Sequence, residues 1–256
     1  MMKKLLIGAC AVLLLASAVP GAYAASGSVK PPPQKWSFQG LFGTFDRAAL
    51  QRGFEVYNGV CAACHSLRLV AYRNLMEIGF TEDQVKKIAA AKEVTDGPND
   101  EGEMFQRPAR PSDKFVKPFP NEPAARAANN GAYPPDLSLM VKARLGGADY
   151  LHALMTGYKE PPADMKMGEG MNYNVYFAGN QIAMAPPLSE DVVEYADKTK
   201  ATVAQMANDL TTFLSWAAEP EMEERKRIGV KAILFLIVFT GMLYAVKRKV
   251  WANLKH

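Results

Sequence analysis

Two cysteines and a histidine stand close together in this chain, as Cys61-Ala62-Ala63-Cys64-His65. Two thiols one helical turn apart can add to the two vinyl groups of one porphyrin. The neighbouring imidazole can then take an axial place on its iron, and C-x-x-C-H is the sequence pattern of c-type haem attachment. Without the histidine, the cysteines could equally serve disulfide exchange or zinc. An exchange motif sits near a βαβ pattern, and none is visible. A thiolate zinc site needs a second ligand pair, and the remaining cysteine, Cys10, lies in an apolar leader. One covalently bound haem c on Cys61 and Cys64, with His65 as an iron ligand, is therefore expected. It consumes both mature cysteines and leaves no structural disulfide.

The iron needs a sixth ligand. Of the other histidines, His256 is at the far terminus and His152 lies in a short helical stretch beside Tyr150 and Leu151. Methionine is the other common axial choice and raises the reduction potential. Met104, Met140, Met155, Met165, Met167, Met171 and Met184 are all available. Met184 stands out by its setting, Gln181-Ile182-Ala183-Met184-Ala185-Pro186-Pro187-Leu188, where small neighbours admit a close approach and two prolines stiffen the loop. Most of the others suit packing.

Two apolar runs place these residues relative to a membrane. Lys3, Lys4, the run Leu5–Val19 and Ala22-Tyr23-Ala24 form a secretory signal with an A-x-A cleavage site, so 1–24 is read as signal peptide. Gly229–Val246, broken by Lys231 alone, is eighteen residues or roughly 27 Å of helix, enough to span a bilayer. Basic clusters flank it at Arg225–Arg227 and Lys247–Lys249. The latter marks the cytoplasmic side, and the cleaved signal puts the body on the opposite side of the membrane. The expected organisation is a periplasmic haem domain over 25–224 and a membrane anchor with a short cytoplasmic tail over 225–256, in a bacterial inner or intracytoplasmic membrane.

The net charge of +4 is segregated. Lys3 and Lys4 in 1–24 and the eight basic residues in 225–256 lie in segments that contain no acid; without these ten cations, residues 25–224 carry −6. Nucleic acid is excluded as a partner on this charge. A basic protein partner would be steered to an acidic body, with Asp96, Asp100, Glu101 and Glu103 clustered in one loop.

The body reads as mainly α with long irregular loops. Asp46 caps a helix to about Tyr57, directly before the haem motif. Thr81-x-x-Gln84 opens a helix to about Lys92, and Thr202-x-x-Gln205 opens the last soluble helix, ending at Glu219-Pro220. Ala148–Tyr158 is a short helix. Arg107–Pro135 and Pro161–Ala185 read as irregular, and no strand pattern is strong. Such loops suit a chain that wraps a flat cofactor.

Several stretches together resemble the cytochrome c1 family. They are Arg52–Tyr57, Ala124–Leu137 (AARAANNGAYPPDL), Ala143-Arg144 with Gly146-Gly147, Thr156-Gly157-Tyr158, Gln181–Leu188 and Trp216–Pro220. The resemblance implies a c-type cytochrome domain plus one C-terminal transmembrane helix. It makes Met184 the second iron ligand and Arg144 the partner of a haem propionate, and it puts Asn129, Tyr150 and Phe177 against the haem. It also implies a place in a quinol–cytochrome c reductase complex, expected to be dimeric, with cytochrome b, a Rieske iron–sulfur protein that donates electrons, a cytochrome c that accepts them, and membrane lipid as partners. No catalytic acid or base is expected on this chain. An anchored electron carrier of another complex and a haem peroxidase are the rival readings; co-purification with cytochrome b and peroxide turnover separate them.

Overall fold

The computed structural model describes residues 29–253. The signal segment 1–24 and His256 lie outside the described residues. Helix α1 spans Arg47–Gly59, and the Asp46 carboxylate accepts the N–H groups of Ala48 and Ala49. Leu50, Gly53, Phe54, Val56 and Tyr57 form its buried face. The helix runs past Tyr57 and passes through Val60 into a 3-10 turn at Cys61–Ala63. A second 3-10 segment, Tyr72–Ile78, stops at Gly79, whose φ of +102° suits glycine. Helix α2 (Glu82–Ala90) opens on a complete capping box between Thr81 and Gln84. It ends two residues short of Lys92, because a strand begins at Glu93.

Strands β1 (Glu93–Asp96) and β2 (Phe105–Pro108) pair antiparallel, with Glu93 opposite Pro108 and Asp96 opposite Phe105. Arg107 ties the hairpin down, pairing with Asp96 and with Asp113. The Pro-rich stretch that reads as irregular holds helix α3 (Glu122–Ala128), where Asn121 caps and Pro123 occupies the first turn. Proline fits there because a first-turn N–H has no helical partner to lose. Helices α4 (Met140–Ala143) and α5 (Gly147–Thr156) follow, then the short pair β3 (Asn172–Tyr173) and β4 (Gln181–Ile182).

Helix α6 (Val203–Ala218) is the centre of the body, with α1, α4 and α5 packed on it. Its Thr202 cap accepts the Gln205 N–H, but the Gln205 amide turns to Asp209 rather than completing a box. Gly53 lets α1 and α6 meet backbone to backbone, since a Cβ there would stand 2.1 Å from the Asp209 carbonyl oxygen. Phe54, Tyr57, Phe115 and Phe213 pack edge-on or tilted at ring separations of 5.8 to 6.2 Å, and this aromatic core backs the haem motif.

Helix α7 (Met222–Val250) is longer than the apolar run because both ends are charged. Glu223 and Glu224 lie in its first turn and Lys247–Lys249 in its last, each favourable to the helix dipole. Its apolar window has a mean hydropathy of 2.1, and it is the single helix among the described residues long and apolar enough to cross a membrane.

Candidate haem site

The Cys61–Ala63 turn fixes the three motif residues. The N–H groups of Cys64 and His65 both donate to the Cys61 carbonyl, at 3.1 and 2.8 Å. Both cysteines are free thiols, and burial pushes that of Cys61 up to about 12. The His65 Nδ1 lies 2.8 Å from the Pro135 carbonyl oxygen. A carbonyl only accepts, so Nδ1 carries the hydrogen and Nε2 keeps its lone pair. Burial also lowers the His65 pKa, against the pull of Pro135 and Asp136, which favours the neutral ring. A neutral imidazole with its second nitrogen anchored to backbone is the form that binds metal.

The next residues hold this geometry. The Asp136 carboxylate accepts Ser66 Oγ at 2.7 Å and the N–H groups of Arg68 and Ser138 at 2.9 and 3.0 Å. The Leu137 N–H donates to the Ser66 carbonyl, and the Tyr57 hydroxyl to that of His65, at 3.2 Å. The segment Pro134–Ser138 is therefore bonded along the residues that follow the cysteines. Sequence reasoning missed Asp136 and Tyr57. Asp136 belongs to the PPDL stretch already singled out, but its three donors lie up to 70 positions away or are backbone groups.

Met184 lies on another set of elements. Its carbonyl accepts the Tyr158 hydroxyl at 3.1 Å. Tyr158 follows α5, where Gly157 packs so tightly that a Cβ would meet the Tyr176 ring and the Ala153 oxygen, each at 2.6 Å. The fully buried Asn174 links both sides. Its amide donates to the Leu154 carbonyl and accepts the Tyr176 N–H, while Asn180 bonds the Asn174 backbone. Tyr158 and Asn174 were not foreseen as supports of the Met184 loop.

The remaining expected residues fall as follows. Tyr150 is half-buried on α5, its hydroxyl pushed up by burial and eased back by the charge of Arg144. Arg144 is exposed, donates only to the Ala143 carbonyl, and forms an ion pair with no carboxylate among the described residues. Asn129 ends α3 with its amide on the Ala125 carbonyl. Phe177 precedes the turn Ala178–Asn180 that leads into β4 and Met184. His152 packs edge-on against Trp36, with ring centres 6.0 Å apart. Met140 is in the core, and Met104 is exposed beyond β1.

These residues fit a c-type haem on four counts. The histidine is held in its ligating tautomer, and two unpaired thiols flank one turn. A guanidinium stands without a carboxylate partner. Large apolar side chains lie uncovered beside these residues, Tyr133 at 51%, Leu139 at 48% and Leu145 at 66% exposure, as a flat apolar group would require. A cleft of about 210 Å³ beside Cys64 is lined by Pro118, Phe119, Tyr133 and Pro134 together with the polar Ser66, Arg68, Lys117 and Asp136. Among the described residues no group of three or more His, Cys, Asp or Glu is placed to hold a metal ion.

Comparison with known proteins agrees with this chemistry. Residues 36–254 match the model of the Cytochrome C1 family. The chain is 49% identical to "Cytochrome b/c1" of Bradyrhizobium diazoefficiens over 94% of its own length, spanning only 38% of that longer protein. It is 49% identical to "Cytochrome c1 2, heme protein, mitochondrial" of Arabidopsis thaliana, covering 95% of this chain and 79% of the relative. It is 50% identical to "Cytochrome b-c1 complex catalytic subunit, mitochondrial" of Candida albicans, covering 91% and 81%. The chain thus belongs to the cytochrome c1 family, membrane-anchored electron-transfer proteins that carry a covalently bound c-type haem.

Proposed function

We propose that this chain is the haem subunit of a quinol–cytochrome c reductase, taking electrons from a Rieske iron–sulfur protein and passing them to a soluble or tethered cytochrome c. When bound, the haem supplies a one-electron iron couple. Cys61 and Cys64 hold its ring by thioether bonds, His65 Nε2 and Met184 Sδ hold the iron, and Arg144 pairs with a propionate. Tyr150, Phe177 and Asn129 exclude water from the ring. The observation that carries this reading is the His65 Nδ1 bond to the Pro135 carbonyl. It frees the opposite nitrogen, raises its basicity and fixes the ring plane before any metal is present.

The relatives' names support the setting, since one is a fused "Cytochrome b/c1" and another a "Cytochrome b-c1 complex catalytic subunit". Cytochrome b and a dimeric complex are the partners this implies, together with the lipid around α7. The proposed topology has a cleaved signal over 1–24, the haem domain over 25–224 in the periplasm, and the anchor over 225–256 ending in the cytoplasm. Lys247–Lys249 at the end of α7 support it. Purification from native membranes tests the whole reading. Cytochrome b should co-purify, and the preparation should reduce cytochrome c with quinol. A chain that purifies alone and turns over peroxide instead would overturn it.

A further inference from the structure

A closed loop at residues 36–45 is fastened to the start of the membrane helix. Lys226, in the second turn of α7, donates through Nζ to the carbonyls of Phe38 and Gly43, at 2.6 and 3.0 Å. Glu223, one turn earlier, accepts the Phe45 N–H at 2.7 Å and pairs with Arg47 at 2.8 Å. Within the loop, the Gln39 N–H donates to the Trp36 carbonyl and the Thr44 N–H to that of Ser37. Phe38 packs between the Trp36 and Phe45 rings, at 5.5 and 5.1 Å. Gly40 takes a φ of +75°, and Gly43 sits where a Cβ would lie 2.0 Å from the Gln39 oxygen. The backbone is therefore tightly built, and its base is buried.

Its tip is the opposite. Leu41 is 56% exposed and Phe42 is 80% exposed, two large apolar side chains side by side and largely uncovered. The two carbonyls that Lys226 holds, those of Phe38 and Gly43, flank this tip. The apolar surface of α7, broken by Lys231, opens at Ile228, two residues or about 3 Å along the axis from Lys226. Arg225 and Arg227, paired with Glu219 and Glu224, stand exposed at the same level. Exposed Leu and Phe beside basic residues, at the depth where a spanning helix enters the bilayer, is the composition of an interfacial anchor.

We propose that the Leu41-Phe42 tip is a second membrane contact, inserted among the headgroups and upper acyl chains of the bilayer that α7 spans. With Lys226 and Glu223 as struts, it sets the tilt of the haem-bearing body over the membrane surface. A single helix entering through a free linker would leave that orientation open.

Nitroxide labels at Phe42→Cys, and separately at Leu41→Cys, test this in the full-length protein. It is purified from membranes with its accompanying subunits and reconstituted into phosphatidylcholine–phosphatidylglycerol vesicles. Glu101→Cys, on the exposed hairpin loop, is the aqueous reference, and label on the unsubstituted chain is subtracted. Both tip labels should collide more with oxygen, which concentrates in lipid, than with a water-soluble nickel chelate, the reverse of the reference. A tip that matches the reference overturns the proposal. So does a tip shielded from both reagents, because a protein partner then covers it. An unchanged haem spectrum in each variant certifies the fold.

Discussion

The Asp209 carboxylate has no solvent exposure and is paired with Arg52. Arg52 on α1 meets it through Nε at 2.9 Å and Nη2 at 3.2 Å, and Gln205 Nε2 adds a third bond at 2.9 Å. Arg52 continues through Nη1 to Asp197 at 2.8 Å. The pair thus clamps the helix that leads into Cys61 onto the central helix. Asp209→Ala removes the three acceptor bonds and leaves Arg52, 14% exposed, with only the 43% exposed Asp197. Removing one partner of a buried pair costs about 3–5 kcal/mol. Asp197 and the water reaching the edge of Arg52 reduce this to about 2–3 kcal/mol. For a body of this size each kcal/mol lowers Tm by roughly 2–4 °C, so a fall of about 4–12 °C is expected. Thermal unfolding followed by near-ultraviolet circular dichroism, which reads the buried Trp216, measures it. Arg52→Met with Asp209→Leu should recover part of the loss, because the double change leaves no orphaned charge. A fall of less than about 2 °C in Asp209→Ala, or strictly additive losses in the double variant, would refute the reasoning.

Other outcomes follow from the same geometry. Gly157→Ala forces a Cβ to within 2.6 Å of Tyr176 and the Ala153 oxygen. It should cost about 1–3 kcal/mol by denaturant unfolding, and it should perturb the haem spectrum through the Met184 loop. The Thr199 N–H and Arg52 hold Asp197 down to about 2, below its ordinary 3.8. A depressed carboxylate stabilises the fold above its unfolded pKa and loses that contribution as pH falls, so Asp197→Asn should flatten the acid-unfolding limb between pH 3.8 and about 2. Asp96 is taken up by Arg107, so steering of a basic cytochrome c falls to Asp100, Glu101 and Glu103. Neutralising these three should weaken the salt dependence of the bimolecular rate in stopped flow, whereas an unchanged slope moves the docking face elsewhere.

The parts of the fold that were legible in the sequence are those written in local chemistry. Asp46, Thr81 and Thr202 each cap the helix they announce, because capping depends on residues two or three positions apart. The membrane helix shows in its apolar run. The β1–β2 hairpin does not show, because its strands are four residues long and carry Glu93, Asp96 and Arg107 rather than an alternating apolar face. Helix α3 was hidden by Pro123, which reads as a breaker but serves as a first-turn residue once Asn121 caps. At the site, the haem motif is legible because its chemistry requires fixed spacing. The bond from His65 to Pro135 spans 70 positions and leaves no local trace. Nor does the chain Tyr158–Met184, nor the role of Asn174, since each depends on how loops close over one another.

The central claim is that iron on this chain is held between His65 and Met184. Its most direct measurement is a redox titration, with the sulfur-to-iron charge-transfer band recorded, of the unaltered protein and of Met184→Leu, both purified with haem attached. Thioether sulfur favours ferrous iron, so the account predicts a charge-transfer band in the unaltered protein, and its loss with a marked fall in potential in Met184→Leu. A variant that keeps both the band and the potential would contradict the account and move the sixth ligand to another residue.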